Sequence, residues 1–287
     1  MMFEDLMLPL RTRPRITIAI PSSFVSEVFD LRERTRKIGY VGRAAAIFRI
    51  EEIMIYVDDF LENAKFIADI LNYLEIPPYL RRKLVSINRN LKHVGLLPPL
   101  KSVHHIPQEF NVNIREGVVI ASNEMRSVVY AGLDRNVVVH KPLALGKRVS
   151  VEIERALSGQ YLGRVVDKSS IKWYWGYEVR IFNNIEELLK NLKSNGYSIL
   201  CASKKGNMIY YVEEKLSKML KSLEKLSIIF GGPKLDIDEI AEKYGVNIQE
   251  YCDIMANFIP RQGVESVRTE EAIFIVLSII NYFREKK

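Results

Sequence analysis

Between positions 116 and 166 the chain abandons the alternation of strand and helix that governs the rest of it. Five short runs of β-forming residues, 117–121, 127–131, 137–140, 148–154 and 161–166, follow one another with turn residues between them, among them Asn123, Gly132, Asp134, Asn136, Pro142, Gly146, Ser158 and Gly159. No helix of comparable strength intervenes. Strands this short, with no helix to cover them, bury an apolar face by curling onto one another, so the span predicts a small barrel of the OB type. Such barrels commonly take single-stranded nucleic acid or oligosaccharide, a fold-level analogy only.

The flanks read as one host domain. Residues 15–23 predict a buried strand, 26–49 a helix weakened by Gly39 and Gly42, and 52–58 a second strand. Residues 59–74 repeat Phe60, Ala64, Ile67, Ala68 and Leu71 at helical spacing until Pro77 and Pro78 stop them. After residue 169 the rhythm returns, with strands at 177–182, 198–202, 226–230 and 251–259 and helices at 185–194, 212–223, 237–244 and 267–283. A β-α-β-α order of this kind opens a mostly parallel α/β sheet. The expected organisation is a discontinuous α/β domain, 1–100 and 168–287, interrupted by an OB-like barrel at 101–167.

With 287 residues, 48% of them hydrophobic and 27% charged, the chain has ordinary globular composition. No run approaches the roughly 20 apolar residues of a membrane span, and MMFEDLMLPLRTRPR lacks the order of a secretory leader. A cytoplasmic protein with no membrane partner is therefore expected. Cys201 and Cys252 each sit in an apolar run and read as two buried free thiols. His104 and His105, with no Cys or carboxylate cluster beside them, read as loop histidines and not as zinc ligands. Trp173 and Trp175, with Tyr174 and Tyr177, have rings that could stack bases, but packing between insertion and host is the preferred reading.

The net charge of +7 matters less than its placement. Arg32, Arg34 and Arg36 lie in one basic block between Arg11 and Arg49; Arg81, Arg82, Lys83, Arg89, Lys92 and Lys101 lie in a second, 77–108, that holds no acidic residue. A solvated face would also produce such blocks, but their concentration favours a polyanion, and RNA is the expected partner.

Ligands of open parallel sheets bind beyond the carboxyl ends of the strands. Three segments end strands near the C-terminus: 202–207, 229–233 and 257–271. In the second, Gly231-Gly232-Pro233 allows close backbone approach or a tight turn, without being a Walker A or G-x-G-x-x-G loop. In the third, Pro260 and Gly263 punctuate the connection, Ser266 is placed to cap the following helix, and Glu270 and Glu271 suit its first turn. Arg261 and Arg268 oppose that helix dipole; a bound phosphate or cofactor carboxylate would account for Arg268, as would a pair with Glu271. The apolar last helix is expected to be buried within the chain or in a dimer interface.

Taken together, GYVGRAAAIFRIEEIMIY (39–56), FGGP (230–233) and NFIPRQGVESVRTEEAIF (257–274) resemble the signature blocks of the SPOUT methyltransferases, nearest to the archaeal and eukaryotic group with an OB-like insertion. The resemblance covers nearly the whole chain. It implies an α/β sheet with a deep trefoil knot in the C-terminal half, a homodimer, and transfer of a methyl group from S-adenosylmethionine to RNA, with ribosomal RNA the first expectation. It implies that Ser203, Lys205, Gly231, Gly232, Asn257, Phe258, Ile259, Gln262, Gly263, Val267 and Arg268 line the cofactor site, and that Arg43 acts on the acceptor. The Asn that precedes this arginine in ribose-methylating relatives has no clear counterpart here, and Lys204-Lys205 stands where relatives carry Glu-Arg, so base and ribose acceptors both stay open. The alternative is a non-catalytic RNA-binding or assembly factor that keeps the fold.

Overall fold

Almost every residue of β1 (Arg15–Pro21) is buried, as in a strand covered on both faces of a parallel sheet. The next helix starts later than its apolar pattern suggests, because Asp30 accepts hydrogen bonds from the amides of Arg32 and Glu33 at 2.8 and 3.0 Å. This cap defines α1 (Leu31–Ile47), which leads to the fully buried β2 (Glu52–Tyr56) and to α2 (Leu61–Glu75). The computed structural model describes residues 8–109 and 111–286.

A short helix, α3 (Pro78–Leu84), has proline in its first turn, where the missing N–H is tolerated. Five strands follow: β3 (Ile114–Ser122), β4 (Ser127–Tyr130), β5 (Val137–Val139), β6 (Arg148–Leu157) and β7 (Gln160–Val166). They close into a barrel in the order β3-β4-β5-β7-β6, antiparallel except where β5 meets β7. That is the five-stranded Greek-key arrangement expected of the insertion. Valines fill its interior, among them Val119, Val129, Val137, Val139, Val149 and Val151.

The chain then resumes with β8 (Glu178–Phe182), α4 (Ile185–Ser194), β9 (Ser198–Met208), α5 (Ile209–Ser222), β10 (Lys225–Phe230), α6 (Ile237–Lys243), β11 (Ile254–Asn257) and α7 (Thr269–Glu285). One six-stranded sheet results, ordered β11-β9-β10-β1-β2-β8 and parallel throughout. The segment 202–207, expected to be a loop, belongs to β9. Met255 pairs with Cys201 and Ala256 with Asn207, so residues 202–206 leave the ladder opposite a single step of β11. Gly206 permits this: a β-carbon there would lie 2.6 Å from the Ala256 backbone nitrogen.

The two cysteines are not free. Cys201 and Cys252 form a disulfide with Cα atoms 6.0 Å apart, although 51 positions separate them in sequence. Parallel pairing of β9 with β11 brings them side by side, a proximity invisible in either apolar run. Among the described residues no helix is long and apolar enough to cross a membrane.

Two compact units make up the chain. Among the described residues, one consists of 8–11, Tyr73–Leu91 and Pro99–Gly176; the other consists of Thr12–Asn72, Lys92–Pro98 and 177–286. The expected insertion at 101–167 lies inside the first unit, which also takes in Tyr73–Leu91.

The first unit has a buried ionic centre. Arg148 donates to Glu75 Oε2 and to Glu116 Oε2, each at 2.5 Å, while Trp175 Nε1 donates to Glu116 Oε1 at 2.6 Å. Burial by itself raises the Glu75 carboxyl, but the Arg148 charge and His104 outweigh it and hold it well below the usual carboxylate range. His104 and His105 lie in a loop, as expected, but are buried there: their Nε2 atoms lie 3.0 and 2.8 Å from the Glu75 carbonyl oxygen. Burial, aided by His104, pushes His105 down to about 3. Tyr174, Trp175 and Tyr177 are buried, whereas Trp173 is half-buried.

Candidate functional site

Three strands of the second unit end around one cleft. The chain after β10 turns at Gly231-Gly232, whose amide at 232 donates to Leu235 O at 2.9 Å, and then enters α6 through Asp236. A β-carbon on Gly231 would lie 2.9 Å from the Ile237 amide nitrogen, so only glycine lets the turn run this close to the helix start. Asp236 caps α6 through the Ile237 amide at 2.7 Å, and Glu239 returns to the Asp236 amide at 2.8 Å. From the far side, Thr269 at the start of α7 donates to the Gly231 carbonyl at 3.1 Å.

The cleft so formed measures about 260 Å³. Its walls come from the β9 excursion (Ala202, Ser203, Lys204, Lys205), the β10 turn (Phe230 through Asp236, with Glu239), the end of β11 (Ala256 through Ile259, with Gln262), and Ser266, Val267, Thr269, Ala272 and Val276. Ser203, Lys205, Gly231, Gly232, Asn257, Phe258, Ile259, Gln262 and Val267 thus meet at one place. Gly263 and Arg268 do not line it; both are exposed on the connection into α7.

Each wall is held by its own hydrogen bonds. Ser203 donates to Asp236 Oδ2 at 2.6 Å and accepts from the Lys205 amide at 3.0 Å. Lys205 Nζ pairs with Asp238 at 2.8 Å and Glu239 at 3.2 Å. Asn257 donates from Nδ2 to the Lys204 carbonyl at 3.0 Å, tying β11 to the excursion. Gln262 donates to the carbonyls of Val264 and Glu265 at 2.9 and 3.0 Å, bracing the loop at Arg261, which takes a left-handed conformation at φ 56°. Ser266 does not cap α7 as expected. The N-cap position falls on Arg268, and the Glu271 carboxylate accepts from the Arg268 backbone amide at 3.1 Å. Glu271 therefore meets the main chain of Arg268. Sequence reading missed Asp236 and Glu239 as wall residues. The signal present was the capping pattern Asp-x-x-Glu directly after the glycine turn.

Arg43 stands on α1 and does not line the cleft. Of the expected RNA contacts, Arg32 and Arg36 are exposed, the latter paired with Glu33 at 2.6 Å, whereas Arg34 bonds Asn63 and lies 5.1 Å from the Phe66 ring centroid. Arg81 is turned inward, donating to the Ile76 carbonyl at 3.1 Å with Tyr73 stacked at 4.4 Å, which makes it a packing residue. Arg82, Lys83, Arg89 and Lys92 are exposed, and Lys83 sits 4.8 Å from the Tyr130 ring. Among the described residues no group of three or more His, Cys, Asp or Glu is arranged to hold a metal ion.

A glycine-lined cleft with apolar and polar walls beyond the carboxyl ends of parallel strands is the place where open α/β folds hold small organic ligands. Sequence comparison takes the assignment further. The family described as "Putative RNA methyltransferase" matches residues 15–280, and the chain belongs to it. The 28S rRNA (uridine-N(3))-methyltransferase of Drosophila melanogaster is 30% identical over 92% of this chain and 61% of its own length. The protein of the same name from Homo sapiens is 28% identical over 94% of this chain and 79% of its own. The chain thus spans about three fifths of the fly protein. Among solved structures, the A. aeolicus TrmH/SpoU tRNA modifying enzyme aligns over 96% of this chain and 78% of its own, at 10% identity and a TM-score of 0.41.

Proposed function

We propose that this chain is an S-adenosylmethionine-dependent methyltransferase acting on N3 of a uridine in ribosomal RNA. The observation that carries the reading is the cleft itself: a family of RNA methyltransferases, and a pocket walled by the segments in which the sequence resembles SPOUT signatures. The acceptor is inferred from the names of the fly and human relatives.

The residues present fit the methyl donor. Phe230, Phe258, Ile259, Val267 and Val276 offer an apolar surface for an adenine ring, the turn at Gly231 leaves room for a ligand against backbone, and Asp236 and Glu239 offer acceptors for ribose hydroxyls or an ammonium group. When bound, the donor supplies an electrophilic methyl group on a sulfonium. The protein's task is alignment, because an in-line displacement gains most from holding nucleophile and methyl in register. The β9 excursion and the β10 turn hold one partner. Arg43 is assigned to positioning the acceptor or its phosphate and to offsetting charge; as it does not line the cleft of its own chain, the reading includes a homodimer that brings it there. The same proposal includes the C-terminal knot, RNA engagement by the barrel and exposed cations, and a cytoplasmic location.

The test is to incubate the purified protein with deproteinised ribosomal RNA and isotopically labelled donor, digest to nucleosides and separate them by mass spectrometry. Label in 3-methyluridine is the expected result. Label confined to ribose 2′-oxygens would overturn the acceptor. No label, together with no calorimetric heat from donor, would favour a non-catalytic RNA-binding factor.

A further inference from the structure

Just beyond the cleft, two side chains from the ends of β1 and β2 are joined in a way the reading above does not use. Ser23 donates from Oγ to Asp58 Oδ2 at 2.6 Å, and its backbone amide donates to Oδ1 at 2.9 Å. The Ser22 hydroxyl also lies 3.1 Å from Oδ1, while its closer acceptor is Asp59. Among the described residues, hydroxyls and an amide, not a cation, are thus what hold this carboxylate. Ser23 also borders the glycine turn: a β-carbon on Gly232 would come within 2.7 Å of its Oγ, and Gly232 lines the cleft. Beside it, the buried Tyr56 donates to the carbonyl of Phe230, another wall residue, at 2.6 Å. Burial lifts the Asp58 carboxyl above its ordinary value and neighbouring Asp59 adds to this, against the opposing bonds from Ser23, which makes its carboxylate a better base than one in water.

Methylation at N3 of uridine has a requirement that ribose phosphate contacts do not meet. N3 carries a hydrogen, and its electron pair becomes available only as that proton leaves. An arginine is a poor acceptor for it, since a guanidinium stays charged in proteins. We infer that Ser23 and Asp58 form the proton-accepting pair of the transfer, an inference that rests on the function proposed above. Ser23 Oγ already donates to Asp58 and retains lone pairs. As N3–H passes its proton to the Ser23 oxygen, the Ser23 proton moves to the Asp58 carboxylate. The N3 electron pair forms the bond to the methyl carbon, the carbon–sulfur bond breaks, and sulfur keeps that pair as a neutral thioether. Asp58 then returns its proton to water.

The experiment is single-turnover methylation at saturating donor by the wild type, Asp58→Asn and Ser23→Ala, on ribosomal RNA transcripts made with uridine or with 5-fluorouridine, whose N3–H is more acidic. With uridine, Asp58→Asn should be slower by about 100-fold or more and Ser23→Ala by about tenfold, the range expected for loss of general-base help. Donor Kd should stay within about twofold of wild type by calorimetry, because neither residue lines the cleft. The acidic base should restore about tenfold or more of the lost rate, since less proton abstraction is then required. A structural clamp between strand ends gives no such rescue. An equal deficit on both RNAs, or Asp58→Asn within about threefold of wild type, overturns the inference. If Asp58→Asn does not fold, Ser23→Ala carries the same comparison of RNAs. Absence of 3-methyluridine from the wild-type reaction refutes the parent function and this inference with it, so the two failures are distinct.

Discussion

Replacing Arg148 with methionine tests whether the buried centre of the barrel-bearing unit is held by charge. The change keeps an unbranched stem but removes bonds from Arg148 to Glu75 at 2.5 and 3.2 Å and to Glu116 at 2.5 Å. Both carboxylates are nearly inaccessible, with side-chain exposures of 7% and 5%. Glu75 would retain His104 and Glu116 would retain Ser150 and Trp175, so each stays partly bonded. Removing one partner of a buried pair costs about 3–5 kcal/mol, and we expect a loss of about 4 kcal/mol at pH 8. The sign of the pH dependence follows from the carboxyls. In the wild type both are held below their ordinary value, so their stabilisation is complete above the unfolded carboxylate range and lost as pH falls through the lower folded values. In the variant, burial is opposed only by the bonds that remain from His104, Ser150 and Trp175, and it raises both. They take up protons as pH falls from 8 towards 5, the orphaned charges disappear, and the deficit should shrink to about 1–2 kcal/mol. Urea unfolding followed by tryptophan fluorescence reads this unit directly, since Trp173 and Trp175 are the only tryptophans and both belong to it. A further variant, Glu75→Gln and Glu116→Gln with Arg148→Met, should recover most of the loss. A deficit under about 1 kcal/mol, or one that does not change with pH, would refute the electrostatic account in favour of simple packing.

Four other outcomes are expected. Gly231→Ala should weaken donor binding by about tenfold or more in calorimetry, because the new methyl meets the Ile237 backbone nitrogen at 2.9 Å and the α6 entrance must shift. His105, held neutral at about 3 against an unfolded value near 6.5, should make the protein lose stability as pH falls from about 6.5; His105→Gln should flatten the denaturation midpoint between pH 6.5 and 5. Cys252→Ser, which opens a link spanning 51 positions, should lower stability by about 4 kcal/mol in the chain-entropy view, and excess dithiothreitol should reproduce that drop in the wild type but not in the variant. Arg43→Ala should abolish RNA methylation while donor affinity stays nearly unchanged; equal loss of both would put Arg43 among the donor contacts.

What could be read from sequence was periodic or local. The valine-rich runs between 117 and 166 and the buried strands at 15–23 and 226–230 announce themselves by residue type, and the sheet and barrel follow. Most of the cleft was legible too, because strand ends are marked by Gly231-Gly232 and Pro260. Long-range partnerships were not. Nothing local in Cys201 points to Cys252, and Ser23 is 35 positions from Asp58; only parallel pairing brings such pairs together. Arg81 was misread, and the burial of the two loop histidines went unforeseen, for a related reason. A basic segment looks solvent-facing until a carbonyl at Ile76 or Glu75 is found to need a donor. The segment 202–207 carries strand residues at both ends and an excursion in the middle, so a loop and a bulged strand share one pattern.

The interrupted ladder between β9 and β11 has a further consequence. β11 is the outermost strand at its end of the sheet, and it meets its neighbour in two stretches separated by residues 202–206. Amides beyond the break, at Ala256 and Asn257, are therefore anchored through fewer backbone bonds than those of β10 or β1, and these same residues wall the cleft. A molecule lodged there acts as a splint across the gap. Solvent-deuterium uptake at the margin of this sheet should accordingly slow when the cleft fills, which turns an edge of the fold into a gauge of occupancy.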